Sequence, residues 1–132
     1  MVRFKANSVV VDDSDAGFLL VGFADEQGGE YLEALHLQRS YEFDAQDAAL
    51  GMDSVYAERN GQRQGGYGGV ERVELYPGRV RVLISGELAV WMGTREFDIG
   101  LSLSPSEFER LRDGLRVVFA GFESLAEYPA SS

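Results

Sequence analysis

Sustained helical periodicity occurs once in this chain, near its C-terminal end, and most of what precedes it alternates or runs apolar in the manner of strands. Ser104-Pro105-Ser106-Glu107 opens that helix. Ser104 can accept the first free amide hydrogens, Pro105 suits the first helical position, and Glu107 completes a capping box. Phe108, Leu111, Leu115, Val118 and Phe122 then recur at spacings of three and four and make one apolar stripe. Glu107 with Arg110, and Asp113 with Arg116, can pair on the solvated side for a few tenths of a kcal/mol each. Gly114 costs this helix about 1 kcal/mol against alanine, a cost that a close backbone approach would explain. The tail after Phe122 is expected to fray.

A stripe of that kind must be buried, and the segments available to bury it are strands. Val2, Phe4 and Ala6 alternate, and Val9 and Val11 take the opposite parity, so a bend or bulge is expected near Asn7-Ser8. Residues 17–24, apolar at both parities, read as a central strand. From Tyr31 to Phe43 the odd positions are core-like and His36, Gln38 and Ser40 are wetter. Residues 44–51 are too short for more than a helical turn or ordered loop. Residues 53–59 read as a strand before an Asn60-Gly61 turn, and the runs on either side of Pro77-Gly78 form the clearest hairpin. Residues 86–93 connect to a last alternating strand through Phe97, Ile99, Leu101 and Leu103. The predicted class is α+β and mostly β: an antiparallel sheet of about six to eight strands packed by one C-terminal helix.

At 132 residues, 45% of them apolar, the expectation is one domain spanning 1–132. With no cysteine, disulfides and thiolate chemistry are excluded, which suits a reducing compartment, and the cytoplasm is the expected location. The N-terminal residues lack the apolar core of a secretory signal, and no apolar run is long enough to span a bilayer. Twenty-two acids against twelve bases leave ten net negative charges. That field repels phosphate backbones and anionic lipid, so no nucleic-acid or membrane partner is expected, and it would steer a cationic protein into contact.

Reactive constellations are weak. His36 is the sole histidine, no G-x-S-x-G elbow accompanies a serine, and His36 is expected to be an ordinary sheet residue. Asp44, Asp47 and Asp53 could offer oxygens to a hard cation, but D-x-x-D-x(5)-D does not match an EF-hand loop, and a solvated acidic loop is expected. No metal or cofactor is predicted. The cluster Gly65-Gly66-Tyr67-Gly68-Gly69 lacks the lysine and the following helix of a phosphate cradle. It is a turn carrying Tyr67, or a recognition loop in which glycine permits close approach and tyrosine supplies contact area. Trp91 is expected in the core, the alternative being an exposed anchor.

Several short motifs occur in a characteristic order: L-Q-R at Leu37 to Arg39, the acidic Glu42 to Asp47 segment, G-M-D at Gly51 to Asp53, Y-G-G at Tyr67 to Gly69, and L-R-x-G-L at Leu111 to Leu115. In that order the chain resembles the immunity protein 10 family, bacterial proteins encoded beside polymorphic toxin genes. The resemblance implies a mostly β, non-enzymatic protein that binds and neutralises a cognate toxin, and it transfers no catalytic residue. The predicted partner-binding residues are Tyr41, Glu42, Asp44, Asp47, Asp53, Tyr67 and Glu71, on an acidic, tyrosine-bearing surface. Charge alone favours a nuclease with a basic cleft as that toxin. A small-molecule enzyme with an acidic pocket and a non-catalytic regulatory subunit are the alternatives.

Overall fold

In the computed structural model, which describes residues 1–13, 18–40, 54–60 and 65–128, the chain begins with a strand pair that changes sheets. β1 (Val2–Lys5) lies parallel to β9 (Glu96–Gly100), whereas β2 (Ser8–Asp12) runs antiparallel to β3 (Phe18–Gln27). The parity change between Phe4 and Val9 marks this passage. Asn7 holds it: its side-chain amide donates to the Glu26 carbonyl at 2.7 Å and its side-chain oxygen accepts from Glu26 N at 2.8 Å. Ala6 N donates to Gly100 O on one sheet and Asn7 N to Ala24 O on the other.

Ten strands among the described residues form two sheets of five. Sheet I has the order β1-β9-β8-β7-β10, with β8 (Arg79–Ile84), β7 (Val70–Tyr76) and β10 (Leu125–Glu127). Sheet II has the order β2-β3-β4-β5-β6, with β4 (Glu30–Ser40), β5 (Tyr56–Arg59) and β6 (Gly65–Tyr67), and is antiparallel throughout. Two helices, α1 (Gly86–Met92) and α2 (Pro105–Val118), complete the described elements. The class is the predicted one, mostly β with a C-terminal helix. The strands are shared between two sheets, and sheet I is mixed because β1 and β10 join it in parallel. Neither helix is long and apolar enough to cross a membrane.

One buried apolar cluster unites these layers. Alternation on sheet I contributes Val73, Leu75, Val80, Val82, Phe97 and Ile99, and alternation on sheet II contributes Val21, Phe23, Leu35 and Leu37. Leu111, Leu115 and Val118 of α2, and Leu88 and Met92 of α1, join it. Each such side chain contributes roughly 1.5–3 kcal/mol on burial.

α2 starts as its sequence dictates: Ser104 Oγ accepts from Glu107 N at 3.2 Å and Glu107 Oε1 accepts from Ser104 N at 2.9 Å. Glu107 is thereby committed to the cap, and Arg110 donates instead to the Val11 carbonyl at 2.9 Å. Gly114 is the point of closest approach to sheet II, for a Cβ there would lie 2.9 Å from Val11 Cγ1 and 3.4 Å from Val21 Cγ2. The expected Asp113–Arg116 pair is long, 3.9 Å, because Arg116 spends its guanidinium on Glu127 at 2.8 Å. The expectation of a frayed tail is corrected for its first part: residues through Glu127 form β10, paired with β7, while 129–132 lie outside the described residues.

In the predicted hairpin, Tyr76 opposes Arg79 across Pro77-Gly78, and the register shifts between Val70 and Arg72, which puts Glu71 in a bulge. Residues 86–92, predicted as a connection, form α1, closed by Gly93 at φ 71°.

Candidate functional site

Sheet II buries one face and leaves the other open. Val21, Phe23, Leu35, Leu37 and Ala57 point inward, so the residues between them point out. The register aligns two rows across the open face: Leu20, Gln38, Tyr56 and Tyr67, then Gly22, His36, Glu58 and Gly65. Leu20, His36, Gln38, Tyr56, Glu58 and Tyr67 line a groove of about 360 Å³. Glycine gives this face its relief. His36 lies across Gly22, where a Cβ would come within 2.7 Å of His36 Cδ2.

Tyr56 and Tyr67 form the aromatic part of the groove, with ring centroids 5.0 Å apart and planes tilted by 58°. The Tyr56 hydroxyl donates to Glu58 Oε1 at 3.3 Å. Burial pushes the Tyr56 phenol up, and the neighbouring Glu58 carboxylate pushes it further. Tyr56 is therefore a neutral hydrogen-bond donor near neutral pH, aimed at an anion.

A second exposed group flanks β6 from its other side. Gly66 faces α1, and a Cβ there would lie 3.1 Å from Trp91 Cζ3 and 3.4 Å from Leu88 Cδ1. Leu88, Ala89 and Met92 turn inward at helical spacing, which directs Val90 and Trp91 to the outside. Trp91 is 53% exposed, Val90 78% and Tyr67 40%. The expectation that Trp91 is a core residue is thus corrected. In a seven-residue helix the inward positions are filled by its neighbours, and the indole rests on a glycine at the sheet edge.

Of the predicted partner-binding residues, Tyr67 stands in this site and Glu71 is exposed in the β7 bulge. Tyr41, Glu42, Asp44, Asp47 and Asp53 fall within 41–53, outside the described residues. Among the described residues no group of three or more His, Asp or Glu could hold a metal ion. His36 is a half-buried sheet residue, as expected, but it lines the groove. Tyr56, Gln38, Glu58 and Val90 were not legible as site residues, and Trp91 was legible only as the exposed-anchor alternative to the core placement expected of it. Only the register brings Tyr56 opposite Tyr67, and no local pattern fixes a register between strands.

The sequence motifs acquire structural roles. In L-Q-R, Leu37 is buried, Gln38 faces the groove, and Arg39 donates through Nη1 to the carbonyls of Val118 at 3.3 Å, Val117 at 3.5 Å and Ala120, at the end of α2. In Y-G-G, Tyr67 lies in the site and Gly68 takes φ 76°, which favours glycine. Residues 5–109 match the family model described as Immunity protein 10. L-R-x-G-L, whose Leu111 and Leu115 are core, lies beyond that span. No curated protein matches the chain.

Proposed function

The chain belongs to the immunity protein 10 family, and from that premise we propose that it neutralises a cognate toxin by direct contact through the β5–β6 edge of sheet II. The observation that carries this reading is the convergence of Tyr67, Val90 and Trp91, all exposed, on one short edge strand and the helix against it. Protein interfaces draw most of their energy from a few aromatic anchors, Trp and Tyr above all, within about 800 Å² buried per partner. Tyr56, Tyr67 and Trp91 have that chemistry, and Glu58 adds a carboxylate within the same groove. The acids Glu42, Asp44, Asp47 and Asp53, with Tyr41 and Glu71, are proposed as further contacts on the strength of the sequence.

The ten net negative charges fit a partner with a cationic cleft, and a nuclease, whose cleft must hold phosphates, suits that charge best. The proposed setting is the cytoplasm. Binding rather than catalysis is favoured because the sole histidine faces a groove lined by no serine, threonine or cysteine for it to activate. The test is a hydrogen-exchange footprint of the chain with the toxin encoded beside its gene. Protection at β5, β6 and α1 is expected. A footprint confined to sheet I would overturn the assignment of the face, and binding indifferent to salt would overturn the nuclease version.

A further inference from the structure

β2 closes sheet II on the side opposite β6, and no other described strand pairs with its outer edge. Asn7 N bonds to Ala24 O, and Arg110 donates to Val11 O, which faces away from β3. In an antiparallel ladder such orientation alternates, so Ser8, Val10 and Asp12 spend their main-chain groups on β3 while those of Val9 and Val11 point outward. Arg110 takes the Val11 carbonyl, and the outward main-chain groups of Val9 with the Val11 N–H are a template for another strand. At the C-terminal end of this edge, between β2 and α2, lies a groove of about 460 Å³. Val11, Leu19 and Val117 supply its apolar lining, and Asp13, Glu109 and Asp113 line it with carboxylates. Arg110, the cation of this groove, is committed to the Val11 carbonyl. On the open face of the sheet Val10 is 44% exposed.

We propose that this edge is a second docking site, which takes an extended segment of a basic partner polypeptide by adding it to sheet II as a further strand. The inference rests on the reading of the chain as a protein that acts by binding another. Main-chain pairing demands an extended occupant. Glu109 and Asp113 share Arg112 at 3.6 and 3.5 Å on the exposed face of α2, yet three carboxylates against the one committed cation keep the lining acidic and select cationic side chains: a Lys or Arg at alternate positions can lay its stem along Val117 and bring its head to Asp13, Glu109 and Asp113. The intervening positions fall beside Val10 and favour apolar residues. A second copy of this chain is the wrong occupant on charge: it would set Asp12 and Asp13 against the same acids, and ten negative charges against ten.

The probe is a short capped peptide alternating lysine and valine, titrated into the full chain with backbone amide shifts as the readout. Saturable shifts centred on Val9 and Val11 are expected, with no response to the matching glutamate–valine peptide. Val11→Pro removes an outward donor at an edge position where proline is tolerated, together with a side chain that packs at Gly114 of α2, and is expected to abolish binding. Should that variant fail to fold, the exposed double variant Glu109→Lys with Asp113→Lys decides the matter through an expected loss of about tenfold in affinity. Shifts elsewhere, equal binding by the charge-reversed variant, or dimerisation through β2 would overturn the proposal. The peptide leaves the β6 edge untouched, so failure here condemns strand addition alone. A toxin that ignored β5, β6 and α1 would leave this site standing.

Discussion

Arg39→Ala tests how the C-terminal helix is locked to sheet II. The Arg39 guanidinium stands over the last carbonyls of α2, donating to Val118 O at 3.3 Å and Val117 O at 3.5 Å and also to Ala120 O, with the Phe122 ring 5.3 Å from its central carbon. A cation at a helix C-terminus is worth about 0.3–1 kcal/mol when exposed and up to about 2 when partly buried. Hydrogen bonds from a charged donor contribute about 1.5–3 kcal/mol, and a guanidinium over an aromatic ring about 0.5–1. One charge makes all these contacts, so they overlap, and the net loss works out at about 2–3 kcal/mol. For a chain of this size 1 kcal/mol shifts the melting temperature by about 3–4 °C, so the midpoint falls by roughly 6–12 °C. Arg39→Lys keeps the charge but not the planar fork and loses about half as much. The assay is thermal and urea unfolding near neutral pH. An Arg39→Ala variant within about 0.5 kcal/mol of wild type, the size of an ordinary surface change, would refute this account of the motif.

At Gly114, alanine gains about 1 kcal/mol of helix propensity and loses about 1–3 kcal/mol to overpacking, since its Cβ would meet Val11 Cγ1 at 2.9 Å. Gly114→Ala is therefore expected to destabilise by up to about 2 kcal/mol in urea titrations, and Gly114→Val by more; a stabilised alanine variant would contradict the packing. A hydrogen bond from Arg72, with the charge and a second hydrogen bond of Arg81, holds the Glu74 carboxyl below the usual carboxylate range. As pH falls below that range the unfolded chain takes up its proton first, so this contribution is complete above the ordinary glutamate value and is lost as pH drops through the folded one. Glu74→Gln should flatten that acid limb of the stability curve, and an unchanged limb would place the titration elsewhere. Acrylamide should quench Trp91 fluorescence in the native state nearly as well as in urea, whereas strong native protection would bury the indole again.

The C-terminal helix was legible because its signals are local. Ser104, Pro105 and Glu107 act within one turn, and the stripe needs only the helix's own period. The same holds for the Pro77-Gly78 hairpin. Legibility ended where distant partners decide the outcome. The parity change after Ala6 announces a bend but not that β1 and β2 belong to different sheets, since Gly100 and Ala24 receive the two halves. The tail became β10 because β7 offered it an edge. Trp91 and Tyr56 illustrate the same limit at the site: the first depends on Leu88 and Met92 taking the inward positions, the second on a register set across three strands.

In the proposed function the exposed aromatics of the β6 edge hold the partner. Titrating the activity of a cognate toxin with wild-type chain and with Tyr67→Ala and Trp91→Ala, after unfolding assays establish that both variants are folded, tests this. Anchors of this kind cost 2 kcal/mol or more on truncation, so each variant should need about thirtyfold more protein for the same inhibition, or should fail to inhibit. Full inhibition by both variants at wild-type concentrations would show that Tyr67 and Trp91 do not hold the toxin.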